Sequence, residues 1–202
     1  RLADAGVVFV DADLPDILAL SEKIIFPVAL HEPIADIAEY LEDSGATGIT
    51  VTSVVDQIAS PDVKKTFEVV LADPMAAAYP DAINVHRPQL QRMYSAYFAD
   101  NSVDALLFPT SPVLPAPIDP VNGSGTLSID GGPPVDTFAT TIRNMGPGSS
   151  AGVPSLSLPA GMSGSGLPVG LNLEGPIDGD STILAIGMAM ESLLGPLPAP
   201  QL

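Results

Sequence analysis

The chain has 202 residues, and 24 acidic against 7 basic side chains give it a formal charge of −17. Nucleic acid and membrane surfaces are excluded as expected partners, because binding phosphate groups needs clustered cations that this sequence lacks. The absence of cysteine excludes disulfides, thiolate nucleophiles and cysteine-bound metals. A hydrophobic content of 46% allows a buried core, and 22 prolines with 18 glycines predict many stiff, tight connections.

The first ten residues indicate an α/β protein. Residues 1–6 are typical of the last turn of a helix that a glycine closes. Residues 7–10 are β-branched or aromatic, lie between Gly6 and two aspartates, and predict a buried strand. A helix followed by a strand suggests the α/β class, and a last helical turn without the rest of its helix suggests that the sequence starts within a domain. No basic stretch followed by an apolar run marks a secretory leader, so we expect a cytoplasmic protein.

Residues 14–100 have a helical pattern, with apolar residues recurring at intervals of three and four. Several prolines interrupt this pattern, which favours several helices over one long helix. Ser60 followed by Pro61 and Asp62 predicts the start of one of them. An aromatic and apolar stripe on a later helix is predicted to be a core-facing surface rather than a ligand site. The stripe consists of Met93, Tyr94, Tyr97 and Phe98.

The second half of the chain has the pattern of strands and loops. Residues 105–108 predict a strand that leads into a stiff, proline-rich loop over residues 110–117. The end of a strand in such a loop is a typical place for the edge of a site. Two further strands are predicted at residues 157–159 and 169–173, with a glycine-rich hairpin turn between them at residues 160–168. A final helix is predicted at residues 180–195, and a surface tail at residues 196–202.

Ser150 stands in a G-x-S-x-G pattern that is typical of the nucleophile elbow of α/β-hydrolases. The elbow is nevertheless not expected here, because its histidine must follow the serine whereas His31 and His86 both precede it. Pro154 also prevents the helix that an elbow must open into. Residues 146–152 are therefore predicted to be a loop of small residues whose backbone approaches another group closely.

No other residues complete a catalytic or metal-binding set. The two histidines have no partner at metal-ligand spacing, so we expect packed or solvated side chains and no metal site. Asp11 and Asp13 follow a predicted strand, where they are either an acid–base pair or solvated loop acids. Lys64 and Lys65 have the spacing of surface residues on a helix and no serine-rich neighbour to activate.

Four blocks of sequence, taken together, resemble the carboxy-terminal part of the amidase signature family. They occur in the family's order at residues 103–112, 146–161, 166–175 and 180–191. Residues 1–100 match the region after the family's signature segment more loosely. Within the family, residues 137–144 look most like mandelamide and indoleacetamide hydrolases, which act on aromatic carboxamides.

The resemblance implies an α/β fold with a mixed central β-sheet flanked by helices. Residues 1–202 would be the carboxy-terminal portion of one amidase domain. Residues 1–102 would form mainly a helical layer, and residues 103–195 would supply core strands, funnel loops and the last helix. The implied reaction releases ammonia or an amine from a carboxamide, preferably an aromatic one, through a serine acyl-enzyme, with no cofactor.

The family's two serines and its lysine base match no residue of this chain, so no catalytic residue is expected in it. The chain would supply scaffold and one wall of the substrate funnel. Phe138, Thr141 and Ile142, before the glycine-rich loop, are the candidate substrate-binding residues. The implied partners are an amino-terminal portion that carries the triad, a small amide substrate and a second copy of the whole enzyme.

Two other functions stay open at the level of sequence. One is a non-catalytic acidic binding or scaffold protein derived from half of an amidase fold. The other is the amidase subunit of a tRNA-dependent amidotransferase, although the charge of −17 disfavours direct contact with tRNA.

Overall fold

A computed structural model describes residues 1–198, in which helices predominate before residue 102 and strands appear after it. A 3₁₀ turn, Ala3–Ala5, is closed by Gly6 with φ of 94°, as the sequence predicts. A π-helical turn, Ala82–His86, leads directly into the sixth α-helix. The α-helices are α1 (Ile17–His31), α2 (Pro33–Asp43), α3 (Val51–Asp56), α4 (Pro61–Leu71), α5 (Tyr79–Asp81), α6 (Arg87–Asn101), α7 (Thr137–Ile142), α8 (Gly146–Ala151) and α9 (Asp180–Leu194).

The strands form two small antiparallel sheets. They are β1 (Leu106–Pro109), β2 (Thr126–Ser128), β3 (Pro134–Asp136), β4 (Ser155–Met162) and β5 (Pro168–Glu174). The larger sheet has the order β1–β5–β4, and β2 pairs with β3. Leu173 of β5 stands opposite Leu107 on one side and Leu156 on the other. The predicted hairpin of two strands and the α/β class are thus confirmed, whereas the sequence did not predict β2 and β3.

Two hydrophobic clusters lie on the helical layer and on the sheet. In the first, buried side chains of α1 and α6 pack on α8, among them Ile24, Leu90 and Tyr94. In the second, Leu158 and Leu173 of the sheet pack against buried residues of α9. The aromatic stripe on α6 is therefore a core face, as predicted, because Tyr94, Tyr97 and Phe98 are buried and Met93 packs against the first cluster.

The predicted strand at residues 7–10 is wrong for this structure. These residues have irregular backbone, and Val8 is 85% exposed instead of buried. A strand needs a neighbour to accept and donate its main-chain hydrogen bonds, and none of residues 1–198 supplies one. Local composition favours a strand here, but no pairing partner is present.

The sequence predicts a loop over residues 146–152, but residues 146–151 of it form the short helix α8. Its last carbonyl groups are satisfied from α6, because Arg87 Nε donates to the Ser150 carbonyl at 3.1 Å and Gln91 Nε2 donates to the Ala151 carbonyl at 2.9 Å. A sequence of glycines, serines and proline becomes helical here through these long-range hydrogen bonds rather than through propensity.

The expected close approach of the α8 backbone is present at Gly148, which lies against the carboxyl group of Glu174 at the end of β5. Glu174 is buried, with 1% of its surface exposed. Only hydrogen fits at this position of α8, so glycine is required for packing rather than for backbone freedom. The contact joins the helical layer to the sheet.

Among residues 1–198, none of the helices combines the length and the apolar character needed to cross a lipid bilayer. The predicted final helix is confirmed as α9, which Gly195 follows. Part of the predicted surface tail, residues 199–202, lies outside the described residues.

Gly148→Ala is predicted to destabilise the fold by about 1–3 kcal/mol, because the new methyl group would overlap the Glu174 carboxyl and overpack the core. Gly164→Ala is the control, since a Cβ at Gly164 meets no atom within 4 Å and its φ is not positive. Urea unfolding of the purified protein measures both changes. Equal stability of the two variants would contradict the packing described at Gly148.

Candidate active-site wall

A cavity of about 770 Å³ opens where β1 ends, between the proline-rich loop that follows β1, the helix α7 and the start of β5. Residues of five elements, β1, β2, α7, β4 and β5, line it together with the loop that follows β1, so the fold rather than one motif forms this surface. The lining residues are Pro109, Thr110, Ser111, Pro112, Val113, Leu114, Pro115, Ala116, Leu127, Thr137, Thr141, Ser157, Leu158, Pro159, Pro168, Val169 and Gly170.

The sequence near the cavity explains its shape. Four of the eight residues from Pro109 to Ala116 are proline or alanine, which hold the loop stiff without filling the space. A register shift in the β4–β5 pairing falls between Pro159 and Gly161, at the side of the cavity. Such a bulge bends a strand and redirects its side chains. Asn144 Nδ2 donates to the Pro109 carbonyl at 2.8 Å and connects the turn after α7 to the end of β1.

Hydroxyl groups are the polar side chains of the cavity. Thr110 Oγ1 and Ser157 Oγ lie 2.6 Å apart and share a hydrogen bond. They meet over Gly170, where a Cβ would lie 2.8 Å from Thr110 Oγ1. Thr141 Oγ1 donates to the Thr137 carbonyl at 2.7 Å. Thr137 Oγ1 is buried and has no hydrogen-bond partner among the described residues.

A second, smaller cleft of about 280 Å³ lies between α1 and α7. Unlike the 770 Å³ cavity, it contains charged side chains, namely Glu22, Asp136 and Arg143. Thr140 and Ile142 of α7 line this cleft. One face of α7 therefore lines an uncharged cavity, and another face lines a charged cleft.

The three predicted substrate-binding residues all lie on α7, but they do not converge on one cavity. Thr141 lines the 770 Å³ cavity, and Ile142 lines the 280 Å³ cleft. Phe138 lines neither and is 58% exposed. The strand ends contribute Thr110, Ser157 and Gly170, which the sequence did not single out; their positions at predicted strand ends were the available signal.

The geometry agrees with the expectation that Ser150 is not a nucleophile. Its side chain is buried, and its Oγ lies 3.4 Å from the hydroxyl of Ser21. His31 is occupied elsewhere, because its Nδ1 lies 2.8 Å from Asp73 and its ring packs on Tyr79. Among residues 1–198 there is no group of three histidine or acidic side chains able to hold a metal ion.

Glu174 is a buried acid that lies outside both cavities. The Tyr94 hydroxyl donates to its Oε2 at 2.8 Å, while Oε1 has no hydrogen-bond partner among the described residues. Burial raises the pKa of Glu174 from 4.5 to about 7, and the hydrogen bond from Tyr94 offsets this only in part. Burial and the neighbouring carboxylate also raise the pKa of Tyr94.

Asp62 fixes the loop that connects the cavity wall to β2. It accepts hydrogen bonds from the Ser60 hydroxyl at 2.6 Å and from the Ser124 backbone amide at 3.0 Å. These bonds to the charged form lower the pKa of Asp62. The sequence predicted only its place in the first turn of α4, because the loop that it holds is 62 residues away.

Comparison with known proteins shows the family. A family model described as Amidase matches residues 1–184. The indoleacetamide hydrolase of Rhizobium radiobacter is 38% identical over 196 residues, which are 96% of this chain and 41% of that protein. The mandelamide hydrolase of Pseudomonas putida is 34% identical over 212 residues, covering 99% of this chain and 40% of that protein.

A solved structure described as an amidase matches with a TM-score of 0.60 at 27% identity, over 90% of this chain and 36% of that one. The fold and the similar sequences thus define an α/β chain that is built like part of an amidase. More particularly, it belongs to the amidase family, which confirms the resemblance seen in the sequence motifs. The chain spans about two fifths of the length of the curated relatives that it matches.

Glu174→Gln is predicted to remove a pH dependence of stability. The pKa of Glu174 in the folded protein, about 7, exceeds the ordinary value of 4.5. The contribution of this carboxyl to the stability of the wild type is therefore fully present below pH 4.5 and is lost as the pH rises towards 7. The loss amounts to about 3 kcal/mol. At pH 8 the glutamine variant should therefore unfold at a higher urea concentration than the wild type.

The matched control is Glu191→Gln, which changes an exposed glutamate of α9. Urea unfolding between pH 4 and pH 8 measures all three proteins. A constant difference between wild type and Glu174→Gln over this range would show that the buried carboxyl does not titrate as described.

Proposed function

We propose that this chain forms the acyl-group wall of an amidase that hydrolyses neutral carboxamides, preferably aromatic ones. The catalytic serine and its proton-transferring partners would lie in the remaining part of the amidase domain. In the proposed reaction the serine Oγ attacks the amide carbonyl carbon and the amine leaves with a proton. Water then cleaves the acyl ester and regenerates the serine.

The observation that carries this proposal is the chemistry of the 770 Å³ cavity. Its described lining consists of apolar side chains, prolines, hydroxyl groups and glycine, and includes no charged residue. A charged acyl group would lose its hydration there without gaining an opposite charge, which is unfavourable by several kcal/mol. An aromatic ring instead gains from contact with the prolines and leucines, and the volume is within the usual range for small-molecule sites.

The names of the similar proteins support the same substrate class. Indoleacetamide and mandelamide are uncharged amides with aromatic acyl groups, and the hydrolases named for them match nearly all of this chain. In the proposed complex the Thr110–Ser157 hydroxyl pair would face the polar edge of the substrate. A hydroxyl pair of this kind orients a ligand without requiring it to carry a charge.

We further propose that two of the three predicted residues, Phe138 and Thr141, contact the acyl group. Thr141 would do so from within the cavity that it lines. The ring of Phe138 is exposed on this chain and would reach the substrate only where the rest of the domain covers α7. Ile142 lines the neighbouring cleft and would support α7 from behind.

The test uses the complete amidase that contains this chain. Thr141→Glu places a carboxylate in the uncharged cavity, and Thr140→Glu, one residue earlier, places it in the charged cleft. With phenylacetamide as substrate, we expect kcat/KM to fall roughly a hundredfold in Thr141→Glu and less than threefold in Thr140→Glu. Succinamate, which carries a carboxylate, should be hydrolysed far more slowly than phenylacetamide by the wild type.

A larger loss of kcat/KM in Thr140→Glu than in Thr141→Glu would place the acyl group in the smaller cleft and contradict the proposal. Efficient hydrolysis of succinamate would contradict the neutral substrate class. A complete protein that hydrolyses neither amide and that no serine-reactive phosphonate labels would instead support the non-catalytic scaffold.

A further inference from the structure

The proline-rich loop beside the 770 Å³ cavity is bonded to the rest of the chain at one point. Residues 111–124, which we call the cavity loop, have no regular secondary structure. Among the residues that the structure describes, a single hydrogen bond leads out of the cavity loop, from the Ser124 backbone amide to Asp62 Oδ2 at 3.0 Å. Asp62 lies in the first turn of α4, so the helical layer holds the cavity loop through this one bond.

The Asp62 carboxylate is oriented for this contact by two further donors. Its Oδ1 accepts hydrogen bonds from the Ser60 hydroxyl at 2.6 Å and from the Val63 backbone amide at 2.9 Å, which leaves Oδ2 for Ser124. These bonds, first of all the one from Ser60, lower the pKa of Asp62, so the group is charged at neutral pH. A charged acceptor makes the bond to Ser124 stronger than one between neutral groups.

The cavity loop is shaped to reach Asp62. Gly123 has φ of 76°, and a Cβ there would lie 2.8 Å from Asp62 Cγ, so only glycine allows this approach. Asp119 closes the turn before it, because its Oδ1 accepts from the amides of Val121 and Asn122, each at 2.9 Å. The turn therefore presents the Ser124 amide to α4.

Little packing could replace the bond to Asp62. Ile118 and Val121 are 90% and 76% exposed, so the middle of the cavity loop is not held by apolar contacts with this chain. Four of its 14 residues are prolines, which restrict the backbone. A fixed point at Ser124 consequently limits where residues 111–116 lie, and these six residues line the cavity.

We propose that Asp62 is a positioning residue for substrate binding, which acts through Ser124 to hold the cavity loop against the acyl group. This inference rests on the proposed function, because the cavity receives the acyl group only there. Asp62 lines neither the cavity nor the smaller cleft, so its effect passes through the loop. A released loop weakens binding of the substrate and of the transition state alike, which raises KM and leaves kcat unchanged.

The experiment measures phenylacetamide hydrolysis by the complete amidase, with titration by a serine-reactive phosphonate to count intact active sites. Asp62→Ala should raise KM about tenfold while kcat per intact site stays within about twofold. Asp62→Asn keeps an oxygen that can accept from Ser124, and its KM should stay within about threefold of the wild-type value. Asp56→Ala, which removes an exposed carboxylate at the end of α3, is the control with unchanged KM.

A second pair of variants approaches the same contact from the loop and leaves α4 intact. Gly123→Ala places a methyl group against the Asp62 carboxyl and should raise KM as Asp62→Ala does. Gly125→Ala is its control, since a Cβ at Gly125 meets no atom within 4 Å and its φ is not positive. Unchanged KM in both Asp62→Ala and Gly123→Ala, or a loss confined to kcat, would overturn the proposal.

Hydrogen exchange of the peptide that contains Ser124 separates this proposal from the proposed function. In Asp62→Ala the Ser124 amide should exchange at least about tenfold faster than in the wild type, because it loses its acceptor. Faster exchange in a protein that hydrolyses no amide would contradict the amidase activity, and with it the role in binding, while supporting the bond itself. Hydrolysis with equal exchange and equal KM in wild type and Asp62→Ala would support the activity and contradict the role of Asp62.

Discussion

The burial of the Glu174 carboxyl is the interaction on which the arrangement of the two layers depends. One of its oxygens accepts a hydrogen bond from the Tyr94 hydroxyl of α6, and the other lies against the backbone of α8 at Gly148. A charged carboxyl would be costly in this place, and the pKa of about 7 means that the group is largely uncharged below neutral pH. A polar residue thus joins helices to sheet where an apolar one would ordinarily lie.

The same strand connects this core contact to the candidate site. β5 is the central strand of the β1–β5–β4 sheet, with Glu174 at its carboxyl end and Gly170 near its other end. At Gly170 the lack of a side chain lets Thr110 and Ser157 meet at the cavity. The position of the cavity wall is therefore set by the packing of the helices on the opposite end of β5. Substitutions in the core are expected to shift the cavity wall through this strand.

Much of the fold was predictable because it depends on local pattern. The spacing of apolar residues indicated the helices before residue 102 and the face of α6 that is buried, and the glycine-rich turn indicated the β4–β5 hairpin. What the sequence could not show depends on distant partners. The helix α8 forms because Arg87 and Gln91 bind its carbonyl groups, and residues 7–10 stay unpaired because no described strand adjoins them. The Thr110–Ser157 pair, 47 residues apart, was likewise not visible.

The central claim is that the uncharged cavity beside α7 holds the acyl group of an amide. A diazirine derivative of phenylacetamide, photolysed in the complete amidase, tests this claim most directly, with excess phenylacetamide as competitor. The expected result is competitor-sensitive labelling of peptides that contain residues 109–116 or 157–170, which line the cavity. Competitor-sensitive labelling confined to peptides that do not line this cavity would contradict the claim.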